Sequence, residues 1–286
     1  MFQRISNSWE LVKASYAVLK SDKELILFPI LSTIGMILVT IAFAIPLFAS
    51  GLIEAMADDG EPTTGQTIAG IALGFMFYFT TYTVIIFSNV ALVGAAMIRL
   101  RGGDPTVGDG FRIASQHIGA ILGYAAISAT VGMILNAMRN EDNILSKIVA
   151  SFLGTAWNLI TFMVIPVLVI ENVGPIEAIK RSGSLLKKTW GEQVAASFGM
   201  GMISFLIILG IVFLIGAPVM LIASATNSGL IMALGIGLIV ILVVSVSLFF
   251  SALNGIFQAA LYNYATEGNA GDFFDNNMMD NAFKQK

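Results

Sequence analysis

The chain has 286 residues, of which 57% are hydrophobic and only 12% charged, about half the charged share of an ordinary soluble domain, so no water-facing surface can be built around it. The absence of cysteine removes disulfides, thiolate nucleophiles and thiolate metal sites. A net charge of −3, with basic residues scattered among loops and helix ends, offers no patch for nucleic acid, and none is expected as a partner.

At the N-terminus Ile5, Trp9, Val12, Tyr16 and Leu19 recur at helical spacing, with Lys13 and Lys20 off that stripe. The pattern predicts an amphipathic helix in the membrane interface, anchored by Trp9, Lys13 and Lys20. It runs into Ser21-Asp-Lys-Glu24, a capping-box spacing in which Ser21 would cap the first span and Glu24 reach back to the cap amide. The apolar run over 25–49 exceeds the apolar region of a cleavable signal peptide and reads as a retained span.

Five further runs, near 67–98, 113–138, 148–170, 194–224 and 230–264, are long enough to cross hydrocarbon, which takes roughly 20 residues. They lack the alternation of a membrane strand, and backbone in lipid must satisfy its own hydrogen bonds. The expected fold class is therefore all-α, a polytopic transmembrane bundle of about six spans. Several runs are longer than the bilayer needs and must tilt, kink or project. Pro166 and Pro218, inside the fourth and fifth runs, are the expected kinks.

Two more surface helices are predicted between the spans. Asp104-Pro105 offers an N-cap and a first helical residue for one, which carries Phe111, Arg112 and His117 toward the third span. Gly174-Pro175 opens the other, with Ile176, Ile179 and Leu186 on one face and Lys180, Arg181, Lys187 and Lys188 around the rest. It ends at Trp190, expected at the headgroup level. Placing Lys13, Ser15, Leu19 and Lys20 over Lys180, Ser182, Leu186 and Lys187 gives four identities, with Val18 against Leu185; Ala114-Ser115 fits the same frame more loosely. The domain reading is one transmembrane domain over 1–266 with three possible repeats at 5–99, 105–172 and 175–265. Each would be a surface helix followed by two spans, and a polar tail covers 267–286.

Six spans put both termini on one side. On that side lie Arg4, Lys13, Lys20, Lys23, Arg99, Arg101, Arg112, Lys180, Arg181, Lys187, Lys188, Lys284 and Lys286. The other side holds only Arg139 and Lys147, together with the acidic Glu54, Asp58, Asp59 and Glu61. Cytoplasmic loops collect Lys and Arg, so the expected location is an inner or plasma membrane with cytoplasmic termini.

No charged residue falls within a hydrophobic core; Glu171, at the end of the fourth span, is the nearest. Proton relays and voltage sensors use such charges, which counts against those classes. His117 has no second histidine to share a metal and reads as an interfacial residue, so no catalytic, cofactor or metal site is expected. The candidate polar positions are amides and hydroxyls. In the sixth span Ser247, Ser251, Asn254, Gln258 and Tyr262 share one helix face, and Asn89 and Asn158 lie at similar depth in earlier spans. Such residues either hydrogen-bond helices together or line a wet cavity. Gly70-xxx-Gly74 and Gly119-xxx-Gly123 would permit close helix approach.

At Trp9, Lys20-Ser-Asp-Lys-Glu-Leu25, Phe28-Pro29, Pro166, Glu171, Ala178-Ile-Lys-Arg-Ser182 and Thr189-Trp-Gly-Glu192, the chain resembles an uncharacterised family of prokaryotic six-span membrane proteins. More distantly, its basic-Ser-x-x-Leu helix is similar to the membrane domain attached to some glycerophosphodiester phosphodiesterases, without the hydrolase domain. The resemblance implies a fold and no substrate. The function expected is that of a non-enzymatic, self-associating membrane protein in contact with lipid, acting as a channel-like pore or a membrane-organising scaffold. A transporter or binder of a lipophilic or uncharged solute, and an accessory subunit of another membrane protein, stand as alternatives.

Overall fold

The structure, a computed structural model, describes residues 2–49, 63–190, 198–226 and 228–275. The expectations on Glu54, Asp58, Asp59 and Glu61 and on the last eleven residues lie outside that set. Every regular element among the described residues is helical. In chain order they are α1 (Phe2–Ser21), a 3-10 turn (Lys23–Ile26), α2 (Leu27–Ala49), α3 (Thr64–Leu100), α4 (Val107–Gln116), α5 (Ile118–Asn140), α6 (Ile144–Ile160) and α7 (Val164–Glu171). Then come α8 (Pro175–Trp190), α9 (Phe198–Ile211), a π-helical stretch (Val212–Gly216), α10 (Ala217–Thr226) and α11 (Gly229–Glu267). Six segments are long and apolar enough to span a bilayer: Lys23–Ala49, Thr64–Leu100, Ile118–Asn140, Ile144–Glu171, Met200–Thr226 and Gly229–Glu267. The order reads three times as a shorter helix (α1, α4, α8) followed by two spans.

Burial is uneven along the long helices. α3 is 37 residues and α11 is 39, so each is about 55 to 60 Å at 1.5 Å per residue. In α3 the run Val90–Met97 is at most 3% exposed, whereas Ile68, Ile71 and Met76 near its start are more than half exposed. In α11 the buried residues cluster from Phe250 to Asn263, and Leu230, Leu234, Ile236 and Ile241 are exposed. The most apolar windows of the fifth and sixth spans are 0% and 6% buried within the chain. Exposed apolar surface on that scale is stable only against lipid or another apolar surface.

The chain divides into two compact units. The first comprises residues 1–26, 96–105 and 189–286; there α1 packs on α9 and α11, and α10 and the π-helical stretch pack on α11. Tyr16 meets Phe249 at 5.9 Å between ring centroids. A Cβ on Gly235 would overlap the Val219 side chain, so this glycine seats α11 on α10. The second unit comprises 27–95 and 106–188. Phe111 of α4 is wedged between Phe28 of α2 at 5.7 Å and Phe87 of α3 at 5.9 Å. A Cβ on Gly110 would collide with the Phe28 ring and come within 2.8 Å of the Ala91 carbonyl oxygen. Of the paired glycines, Gly123 is used for close approach: a Cβ there would lie 2.8 Å from Pro175 Cγ, the first residue of α8.

The surface helices bury only part of their large apolar residues and leave the others exposed. In α1, Leu11, Val12, Ala14, Ser15, Val18 and Leu19 are buried, while Trp9 and Tyr16 are 46% and 47% exposed. In α8 the buried positions are Ala178, Ser182 and Leu185, and Ile176 is exposed. Small residues let each helix lie close on its neighbours, and amphipathic aromatics are favoured where membrane meets water. Superposing Ser15 on Ser182 also places Leu11 and Val18 over Ala178 and Leu185, all of them buried.

Two expected caps are replaced. Ser21 does not cap the first span: its hydroxyl donates back to the Ala17 carbonyl at 3.1 Å. α4 starts from Thr106 and not from Asp104-Pro105, because Thr106 and Asp109 form a complete capping box. The Asp109 N–H donates to Thr106 Oγ1 at 3.2 Å, and the Thr106 N–H and hydroxyl donate to the Asp109 carboxylate at 3.0 and 2.7 Å. That hydroxyl, then that N–H, hold the Asp109 carboxyl below the usual carboxylate range, assisted by Arg112. Because the folded value is the lower one, the carboxylate half of the box is fully formed at neutral pH and is lost as pH falls through it. Thr106→Ala should speed amide exchange in the first turn of α4 about fivefold at neutral pH, as expected for an N-cap. The gap from wild type should narrow in acid but not close, because the bond from the Asp109 N–H to Thr106 Oγ1 does not titrate, and hydrogen-exchange mass spectrometry resolves it.

Candidate functional site

The fourth span shows most plainly how the chain uses polar side chains. It is broken at 161–163, between α6 and α7, one turn before Pro166. Proline has no N–H and its ring crowds the carbonyl four residues earlier, here that of Phe162, so a regular helix cannot run through. The Phe162 N–H turns to the Leu159 carbonyl at 3.3 Å and the Val164 N–H to the Thr161 carbonyl at 3.0 Å. That leaves the Ile160 carbonyl and the Met163 N–H outside the ladder. Ser182 of α8, 0% exposed, serves both: its Oγ accepts from Met163 N at 3.0 Å and donates to Ile160 O at 2.6 Å. Beside it the Arg181 Nε–H donates to both Glu171 carboxylate oxygens at 2.9 and 3.1 Å. Pro218 in the fifth span is accommodated by the π-helical turn that precedes it.

In the first unit a second polar knot gathers the helix ends. The Arg99 guanidinium, at the end of α3, donates to both oxygens of Asp22 and to Asp104. Asp22 is 7% exposed, Arg99 19% and Asp104 93%. Arg101 pairs with Glu267 at the end of α11 at 2.9 Å. Past Glu267, among the described residues up to Asp275, Ala270 and Phe274 are buried, and Gly271 sits with a hypothetical Cβ 2.8 Å from the Leu100 carbonyl oxygen.

The predicted polar face of α11 does not turn inward. Ser247, Ser251 and Asn254 are exposed, Gln258 is half-buried, and only Tyr262 is enclosed, at 2%. Around Asn254 the residues Ala252, Leu253, Gly255, Ile256 and Phe257 are all buried, so the stripe is the one open side of α11 at that level. The Ser247 hydroxyl donates to the Val243 carbonyl at 2.8 Å. The Asn254 amide makes no hydrogen bond among the described residues. Asn254 lies thirteen residues before Glu267, or about 20 Å along the helix. In the second unit Asn89 is half-buried and Asn158 exposed, and the two are not hydrogen-bonded to each other.

Among the expected anchors Trp9, Lys13, Lys20, Lys180, Arg181 and Lys187 are exposed on α1 and α8; the side chains of Lys188 and Trp190 lie outside the described residues. His117 joins α4 to α5. Its Nδ1 lies 2.8 Å from the Ile113 carbonyl oxygen, which can only accept, so Nδ1 carries the proton. Among the described residues no three His, Asp or Glu side chains are grouped to hold a metal ion.

Six apolar helices, polar groups used to repair broken or ending helices, and spans of which five have mostly unburied apolar windows define an α-helical, multi-span integral membrane protein. The pattern of a family described as "Family of unknown function (DUF6159)" matches residues 68–273, and the chain belongs to that family. No curated protein matches the chain.

Proposed function

We propose that the protein is a non-enzymatic, self-associating component of a cell membrane, with cytoplasmic termini, which assembles through α11 into a channel-like pore or a membrane-organising scaffold. The observation that carries this reading is the exposed stripe of Ser247, Ser251 and Asn254 on a span whose most apolar window is 6% buried. An amide facing lipid without a partner costs several kcal/mol, whereas one facing a second copy of the same stripe can donate and accept across the contact. The Arg101–Glu267 ion pair marks the headgroup level, and Asn254 lies well below it. Thirteen basic residues on the side of the termini support the orientation. The alternative, binding of a lipophilic solute, draws on the open apolar clefts between spans.

Native mass measurement of the purified protein tests the reading. The wild type should be an oligomer and Asn254→Leu should dissociate about tenfold more readily, the loss expected for one or two interhelical hydrogen bonds. Retained helical content would show that the variant still folds. A wild-type protein that is monomeric both in mild detergent and in lipid nanodiscs would defeat the reading.

A further inference from the structure

Beneath α1, within the first unit, lies an apolar cleft of about 500 Å³ bounded by Trp9, Lys13 and Tyr16 of α1, Ile207 of α9, and Ser245 and Phe249 of α11. Its volume falls in the range of sites for small ligands. Among the described residues the one charged side chain along its wall is Lys13, which lines it through its apolar stem, and its ammonium lies 6.0 Å from the Trp9 ring centroid. Among the described residues Lys13 has no ion-pair partner, and Glu10, one turn earlier on α1, does not reach it. Ser245 contributes no free hydroxyl, since it donates to the Ile241 carbonyl at 2.8 Å. A ligand for this cleft therefore needs a long apolar body and one anionic group at one end, and it must enter from the bilayer, because the cleft lies between an interfacial helix and two spans.

We infer that the cleft is a binding site for one anionic phospholipid, with an acyl chain between α1 and the α9/α11 pair and the headgroup phosphate at Lys13. Trp9 and Tyr16, about half exposed, flank the headgroup end, where amphipathic aromatics are favoured. The site does not depend on self-association: its walls come from a single chain, and it is separate from the stripe through Asn254.

Trp9 is one of three tryptophans, so Trp157→Phe with Trp190→Phe leaves it as the only indole. The full chain carrying both changes is placed in vesicles of phosphatidylcholine with either phosphatidylglycerol or phosphatidylcholine brominated on the acyl chain, and quenching of Trp9 is read. The brominated phosphatidylglycerol should associate at Trp9 about fivefold more strongly, the preference expected of one Lys near an anionic lipid. Lys13→Gln should bring the ratio to about 1. Ser245→Phe, which fills the cleft and loses only a bond within its own helix, should do the same. Equal quenching by the two lipids overturns the site, and a preference that survives Ser245→Phe reduces it to general attraction at the surface. Native mass spectrometry of the unsubstituted protein taken from an equimolar mixture of the two lipids reads the same question without any variant. Retained phosphatidylglycerol supports the site, and equal retention of both overturns it.

Discussion

Ser182→Ala is expected to lower the unfolding free energy by about 2 to 4 kcal/mol, among the largest single-atom effects in the chain. The substitution removes one oxygen, yet it strands two backbone groups, the Met163 N–H and the Ile160 carbonyl, that the break at 161–163 has already taken out of the helix ladder. Each buried polar group left without a partner costs about 1 to 3 kcal/mol, and the sum is held below the double penalty by local relaxation. Ser182→Thr keeps the hydroxyl and should recover much of the loss. A thermal melt in detergent separates the three proteins, and a Ser182→Ala midpoint equal to wild type would show that the break is stabilised by something else. The consequence reaches beyond stability. Ser182 is the link through which the surface helix α8 holds the fourth span in its broken form, so loosening it should raise amide exchange around 160–164 more than elsewhere.

The second large effect belongs to Asp22 and Arg99. Asp22→Leu leaves the guanidinium of a mostly enclosed arginine with only the exposed Asp104, and Arg99→Leu leaves a buried carboxylate; each should cost about 3 kcal/mol. The double variant should be milder than either single one, because a buried ion pair roughly breaks even against apolar residues of similar size while a lone buried charge does not. Asp104→Ala should change stability by less than about 0.5 kcal/mol, since that carboxylate is nearly fully exposed. Chemical or thermal denaturation of the four proteins completes the cycle. Additive losses from Asp22→Leu and Arg99→Leu would mean that the two residues act independently and that the knot is not a pair.

These two sites differ in how far they could be read beforehand. Apolar run length and the absence of internal charge are properties of local sequence, and the six spans follow from them. Amphipathic spacing likewise locates α1, α4 and α8, and Val12 and Leu19 of the expected stripe are buried; it does not show that Trp9, Tyr16 and Ile176 stay exposed while Leu11, Ala14, Ser15, Ala178 and Ser182 complete the packed edge. Ser21 looked like a cap because its spacing to Glu24 is right, but Asp22 is drawn to an arginine 77 positions later, and no local pattern announces that. The Thr106-x-x-Asp109 box was legible and was masked by the neighbouring Asp104-Pro105. Pro166 signalled a kink, whereas the repair by Ser182 depends on a residue 19 to 22 positions away. For α11 the spacing shows that Ser247, Ser251, Asn254 and Gln258 share a face. It does not show whether that face looks into the chain or out of it, because direction is set by where α1, α9 and α10 pack.

That outward direction makes self-association directly testable. The chain contains no cysteine, so a single introduced thiol reports alone. Asn254→Cys and Ser251→Cys lie on the polar stripe, and Leu238→Cys is an exposed position on the opposite side of α11. In native membranes treated with a membrane-permeant oxidant, the first two should give a disulfide-linked dimer on a non-reducing gel, and Leu238→Cys should remain monomeric. Monomer at all three positions, or equal cross-linking at Leu238→Cys, would contradict assembly through this face.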